Sequence, residues 1–124
     1  MEKMVTEKDY RQFDLGAILN ITTNRIFTNM NDVCEVLNYL TGDDIFIHQL
    51  PRVMQVAQPY VLSIYPELTG VGGDIAINSF EDAKTFVDAQ KKIYGNQLPL
   101  TPMSKTNGYF YIDPLEEADR IKGR

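Results

Sequence analysis

The chain has 124 residues, 44% hydrophobic and 23% charged, with a formal net charge of -5. That length suits one domain burying roughly two thirds of its unfolded surface, and the composition argues against disorder. The balance of 12 Lys+Arg against 17 Asp+Glu speaks against a polymeric nucleic-acid partner, which selects for a basic face. No run reaches the ~20 apolar residues of a bilayer span. The opening MEKMVTEKDYRQ is too charged for a signal-peptide core, so no membrane partner and a cytoplasmic location are expected. Cys34 is the single cysteine, which excludes an internal disulfide and fits a reducing compartment.

Residues 1–12 are polar, with Thr6 and Asp9 spaced as a weak helix-capping pair. The densest apolar stretch follows, from Phe13 to Arg52. Leu15, Ile18 and Leu19 predict a short helix or turn over 15–19. The β-branched run Ile21, Thr22, Thr23, Ile26 and Thr28 predicts a β-rich segment over 21–28, with Asn24 as a turn. Asn29 to Asn31 supply turn and cap chemistry. From Asp32, the spacing of Val33, Val36, Leu37 and Leu40 predicts an amphipathic helix closed by Gly42. Cys34 widens its apolar stripe and reads as a small buried hydrophobe.

Asp43 and Asp44 continue the turn into the apolar run 45–47. Pro51 suits the first turn of a second helix, carried by Val53, Val56, Ala57, Tyr60, Val61 and Ile64 to a stop at Tyr65-Pro66. Pro59 lies inside that pattern and predicts a kink. Residues 67–78 read as a glycine-rich mobile connector that lacks the features of a Walker or dinucleotide motif. Ser79 and Asp82 cap a third helix whose apolar face is Ala83, Phe86, Val87 and Ile93, with Gly95 past its end. Residues 98–103 must be extended. Residues 108–113 read as a strand, and Asp113-Pro114 opens a last short helix through Ile121. These elements predict an α+β fold: a single compact domain over 1–124, several helices packed on a small antiparallel sheet.

Catalytic chemistry finds little support. Asp43, Asp44 and His48 are a weak metal-ligand set, and Cys34 sits on a packing stripe, so neither a metal nor another cofactor is expected. Arg25 and Arg52 stand in apolar sequence, where a guanidinium either snorkels to solvent or is held for an anion. Arg52 at a helix start suits a phosphate. Tyr60, Tyr65, Phe86, Tyr94, Tyr109 and Tyr111 offer faces for a base, although packing accounts for each one alone.

The segments FDLGAILNITTNR (13–25), LNYLTGDDIFIHQLPR (37–52), YPEL (65–68) and DPLEE (113–117) resemble, in order, the phage Thoeris anti-defence protein one family. The resemblance implies a non-enzymatic sponge in the host cytoplasm. Its members sequester glycocyclic ADP-ribose, made by TIR-domain defence enzymes, without cleaving it. The resemblance further implies binding of cyclic trinucleotides at a separate site, within a hexamer built from dimers. Carried over by motif, Arg25 and Arg52 are the expected phosphate contacts, with Thr23 and His48 as supporting hydrogen-bond groups. Phe86 and Asn96 are the aromatic and amide candidates, Tyr109 a wall, and the DPLEE end a helix cap only. The competing readings are a cyclic-nucleotide hydrolase using His48, Asp43 and Asp44, and a self-assembling adaptor.

Overall fold

In the computed structural model, residues 10–103 and 115–118 are described. Strand β1 (Arg11–Asp14) leads into helix α1 (Leu15–Thr23), followed by α2 (Met30–Thr41), α3 (Leu50–Ile64), α4 (Phe80–Tyr94) and strand β2 (Gln97–Leu100). Two short 3-10 turns, Ile47–Gln49 and Pro66–Leu68, flank α3, and residues 115–118 are helical. The strands pair antiparallel, Arg11 opposite Leu100 and Asp14 opposite Gln97. The fold is α+β, helices packed with a two-stranded antiparallel sheet.

Helix α1 is the centre. Its residues from Leu15 to Thr22 are all buried, and it packs on α2, α3, α4 and both strands. A helix apolar on every side has no solvent face to present, so it must be enclosed. Gly16 lets that happen: a Cβ there would lie 2.8 Å from Thr28 Cγ2 and 3.2 Å from Val87 Cγ1. Asp14 caps the helix by accepting from the Gly16 N–H at 2.9 Å.

The strand expected over 21–28 is not formed. Ile21 and Thr22 continue α1 because enclosure outweighs the few tenths of a kcal/mol by which β-branched residues disfavour a helix. The Thr22 and Thr23 hydroxyls donate back to the Leu19 carbonyl at 3.4 and 2.6 Å, the bonding that lets such residues tolerate a helix interior. Asn24 ends α1 in the left-handed region at φ 56°, a conformation asparagine tolerates. The expected helix over 15–19 is therefore four residues longer.

Helix α2 matches its pattern, with Val33, Val36, Leu37 and Leu40 buried and Gly42 left-handed at its end. Its cap is Asn29, whose side chain accepts from the Asp32 N–H, so it starts two residues before the expected Asp32. Cys34 is half-buried rather than buried. Helix α3 carries Pro51 in its first turn and Pro59 in its interior and ends before Tyr65. On α4, Ala83 and Val87 are buried and Phe86 and Tyr94 are partly so, but Ile93 is exposed. The 83, 86, 87, 94 stripe follows helical spacing, and position 93 falls off it.

Residues 98–103 are extended as expected, and their first part is β2, the partner of β1. Three tyrosines fasten this segment. The Tyr39 hydroxyl donates to Leu100 O at 2.9 Å, Tyr60 to Thr101 O at 2.8 Å, and Tyr65 to Pro99 O. Burial, then the negative charge of Glu67, push the Tyr65 phenol above its ordinary pKa, so it stays a donor at neutral pH. The hydroxyls of Tyr60 and Tyr65 thus serve the chain's own backbone. The expected strand 108–113, the start of the last helix at 113–114, and the Thr6–Asp9 pair lie outside the described residues, as do Tyr109 and Tyr111. Among the described residues, no helix is long and apolar enough to cross a membrane.

Candidate functional site

The two arginines singled out by the sequence meet different fates. Arg25 leaves the left-handed turn at Asn24, and its backbone N–H donates to Thr23 Oγ1 at 3.1 Å. Its guanidinium crosses to the glycine-rich connector. There Nη1 donates to Gly72 O at 2.8 Å and Ile75 O at 2.9 Å, with Gly73 O at 3.4 Å. The guanidinium carbon sits 5.5 Å from the centre of the Phe27 ring, within cation–π range. Phe27 in turn stacks on Phe86, centroids 5.4 Å apart.

Arg25 is therefore positioned by neutral acceptors and a ring face. Among the described residues it has no carboxylate partner, and there its Nε and Nη2 make no hydrogen bond. It lines a cavity of about 220 Å³ together with Asn20, Asn24, Ile26, Met30, Val33, Leu50, Pro51 and Met54. The walls come from the end of α1, the start of α2 and the first turns of α3. Asn20 is committed to the fold, because its Oδ1 accepts from the buried Phe27 N–H at 2.7 Å and its Nδ2 donates to Thr28 Oγ1 at 2.8 Å. The cavity therefore offers one fixed cation over an apolar, methionine-bearing floor.

Arg52 faces an acid instead. Its Nε donates to Glu117 Oε2 and its Nη2 to Glu117 Oε1, both at 3.0 Å. Gln49 Nε2 adds a third donor, 2.9 Å from Oε1. The Glu117 side chain is 8% exposed and that of Arg52 is 22%. The Arg52 hydrogen bonds, opposed by burial and reinforced by Gln49 and the charges of Arg52 and His48, hold the Glu117 carboxyl below its ordinary pKa. The expectation that DPLEE serves only as a cap is corrected here. Its second glutamate is a buried ligand of Arg52, and the sequence separation of 65 residues hid the pairing.

The other expected site residues are scattered. Thr23 Oγ1 donates to Leu19 O and accepts from Arg25 N, so it shapes the turn that presents Arg25. His48 is half-buried in the 3-10 turn before α3, its ring 6.1 Å from that of Phe46. Phe86 packs on Phe27, and Asn96 is exposed while its carbonyl accepts from Leu15 N at 2.9 Å. Tyr109 lies outside the described residues. Of the six that are described, Arg25 alone lines the cavity. Asn24, Met30 and Met54 were missed by sequence reasoning. Only Asn24 carried a signal, as a turn residue beside an isolated arginine. Among the described residues, no group of three or more His, Cys, Asp or Glu side chains is placed to hold a metal ion, so Asp43, Asp44 and His48 do not converge.

No curated protein and no solved structure matches the chain. A family model described as a domain of unknown function, DUF7736, matches residues 13–71. The chain is thus similar to that domain from α1 through α3, the stretch that contains Arg25, Arg52 and the whole cavity wall.

Proposed function

We propose that this protein captures a small cyclic nucleotide immune signal beside Arg25 and holds it without cleaving it. The ligand suggested by the sequence resemblance is glycocyclic ADP-ribose from TIR-domain enzymes, and cyclic trinucleotides are a further class for the same protein. Sequestration of that signal would block bacterial defence signalling in the host cytoplasm. The observation that carries the reading is Arg25 itself. A guanidinium anchored through one nitrogen, with no acidic partner among the described residues, lines an apolar cavity. Its remaining donors match a phosphate oxygen pair, and the methionine and isoleucine walls suit a base or ribose face.

The cavity, about 220 Å³, falls below the roughly 300–1,000 Å³ of sites that enclose a drug-sized ligand. It holds one phosphate and its neighbouring sugar, so a second copy of the chain would supply the opposite wall. That requirement agrees with a homo-oligomer, a hexamer built from dimers. A ligand of about 36 heavy atoms at roughly 0.3 kcal/mol per atom would bind with a dissociation constant on the order of 10 nM. Such affinity suits stoichiometric capture.

The test incubates the protein with glycocyclic ADP-ribose, denatures it and assays what is released. Intact ligand is expected, with the melting temperature raised in wild type and the shift lost in Arg25→Ala. Arg25→Lys keeps the charge but not the fork and should retain a partial shift. Release of hydrolysed product would refute capture and favour the hydrolase. An unshifted wild-type melting temperature with every cyclic nucleotide tried would favour the adaptor.

A further inference from the structure

We propose that the groove between helix α4 and residues 27–29 binds a free aromatic amino acid as its zwitterion. The groove has a volume of about 230 Å³. It shares no lining residue with the cavity beside Arg25, so the inference does not rest on that reading.

One wall is a single stripe of α4, in which Phe80, Lys84, Val87 and Lys91 line the groove at the spacing of one helix face. The floor is apolar, formed by Val87 and by Phe27 of the opposite wall, both buried. Phe80 opens the helix at one end of the stripe and is 72% exposed. A large ring left in solvent beside an apolar floor offers a face for a second ring.

The charges around that floor come in both signs. Lys84 Nζ pairs with Asp88 Oδ2 at 3.0 Å, and Lys91 Nζ with Asp14 Oδ1 at 2.7 Å. Asp14 is fully engaged, since its Oδ2 also accepts from the Gly16 N–H. Asp88 is not: among the described residues, its Oδ1 accepts no hydrogen bond. Lys84 has three N–H donors and directs one to Asp88. Asn29 Oδ1 accepts from the Asp32 N–H, while among the described residues its Nδ2 donates to no acceptor. One carboxylate oxygen and several N–H groups therefore remain for a ligand.

A simple anion in this groove would meet Asp14 and Asp88, and a simple cation Lys84 and Lys91. A molecule that carries both charges on one carbon gains from each set. Its ammonium matches Asp88 Oδ1, its carboxylate matches Lys84 and Asn29 Nδ2, and its ring matches Phe80 above Val87. The volume lies below the roughly 300–1,000 Å³ of drug-sized sites, which suits a single amino acid. The Lys84 and Asp88 side chains are well exposed, and such a pair contributes little to stability, so it opens to a ligand without disturbing the fold.

The test titrates phenylalanine into isotope-labelled protein and follows the amide resonances. Phenethylamine, which lacks the carboxylate, and phenylpropionate, which lacks the ammonium, are the comparison arms. With about 12 non-hydrogen atoms, phenylalanine should bind with a dissociation constant on the order of 1 mM and shift residues 27–29 and 80–91. Each comparison compound should bind about ten-fold more weakly. Phe80→Ala should weaken phenylalanine about three-fold. Asp88→Asn should weaken phenylalanine yet tighten phenylpropionate, and Lys84→Gln should weaken phenylalanine yet tighten phenethylamine. All three substituted side chains are exposed, so these variants should keep the wild-type fold. No saturable shift in the millimolar range would overturn the proposal, as would shifts confined to residues 20–26 and 50–54. Equal affinity for the three compounds, or charge variants that leave their order unchanged, would overturn it too.

Discussion

Gly72 makes the sharpest prediction about the loop that anchors Arg25. It has φ +81°, and a Cβ there would sit 3.0 Å from Phe86 Cε2 and 3.1 Å from both Phe27 Cζ and Phe86 Cζ. Gly72→Ala therefore carries two costs. The left-handed backbone costs an L-residue about 1–2 kcal/mol, and crowding a packed site costs about 1–3 kcal/mol more. The rings cannot swing aside freely, because Phe27 is 3% exposed and stacked on Phe86. About 3 kcal/mol in total is expected. For a chain of this size that lowers the melting temperature by about 10 °C. Gly70 is the internal control: its φ is +80°, but a Cβ at that position would have nothing within 4 Å. Gly70→Ala should thus show the backbone cost alone, about 1–2 kcal/mol. Urea denaturation of both variants at neutral pH measures the difference. Equal destabilisation of the two would refute the claim that the connector is held by ring contact.

Two further outcomes follow from the polar interior. Asn20→Ala should destabilise by about 2–3 kcal/mol, because it leaves the buried Phe27 N–H without its acceptor; urea unfolding checks this, and a loss below about 0.5 kcal/mol would contradict it. The Arg52–Glu117 pair should make stability depend on pH. The folded carboxyl titrates below its ordinary value, so the unfolded chain takes up the proton first as pH falls. The contribution is complete above the ordinary glutamate range and is lost as pH drops through the folded pKa. Glu117→Gln should flatten that part of the stability–pH curve, and curves that run parallel from neutral to acid pH would count against the pairing.

The three anchored tyrosines explain how a proline-rich segment becomes a strand. Pro99 offers no N–H, yet among the described residues β2 pairs only with β1, and proline is tolerated at such an edge. The carbonyls of Pro99, Leu100 and Thr101 accept from Tyr65, Tyr39 and Tyr60. The hydroxyls of Tyr60 and Tyr65, two of the rings the sequence offers to a nucleobase, are thereby spent on holding 99–101 against α3.

By itself the sequence determined the local elements whose signals are short-range. Helices α2 and α4, their caps at Gly42 and Ser79, the stop at Tyr65-Pro66 and the extended 98–103 segment all rest on contacts a few residues apart. It also marked the stretch 13–52 as the densest apolar part of the chain, and a dense apolar stretch has to be enclosed. Tertiary structure decided the rest. It carried Ile21 to Thr23 into α1 against their β preference, because the burial they gain around that helix exceeds their propensity. It chose β1 as the partner of β2, a pairing across more than 80 residues that no local pattern encodes. It also separated the two arginines, giving Arg52 a distant carboxylate and Arg25 a set of carbonyls. The reason is physical: a guanidinium has the same reach and charge wherever it stands, and only the chain folded around it supplies its partner.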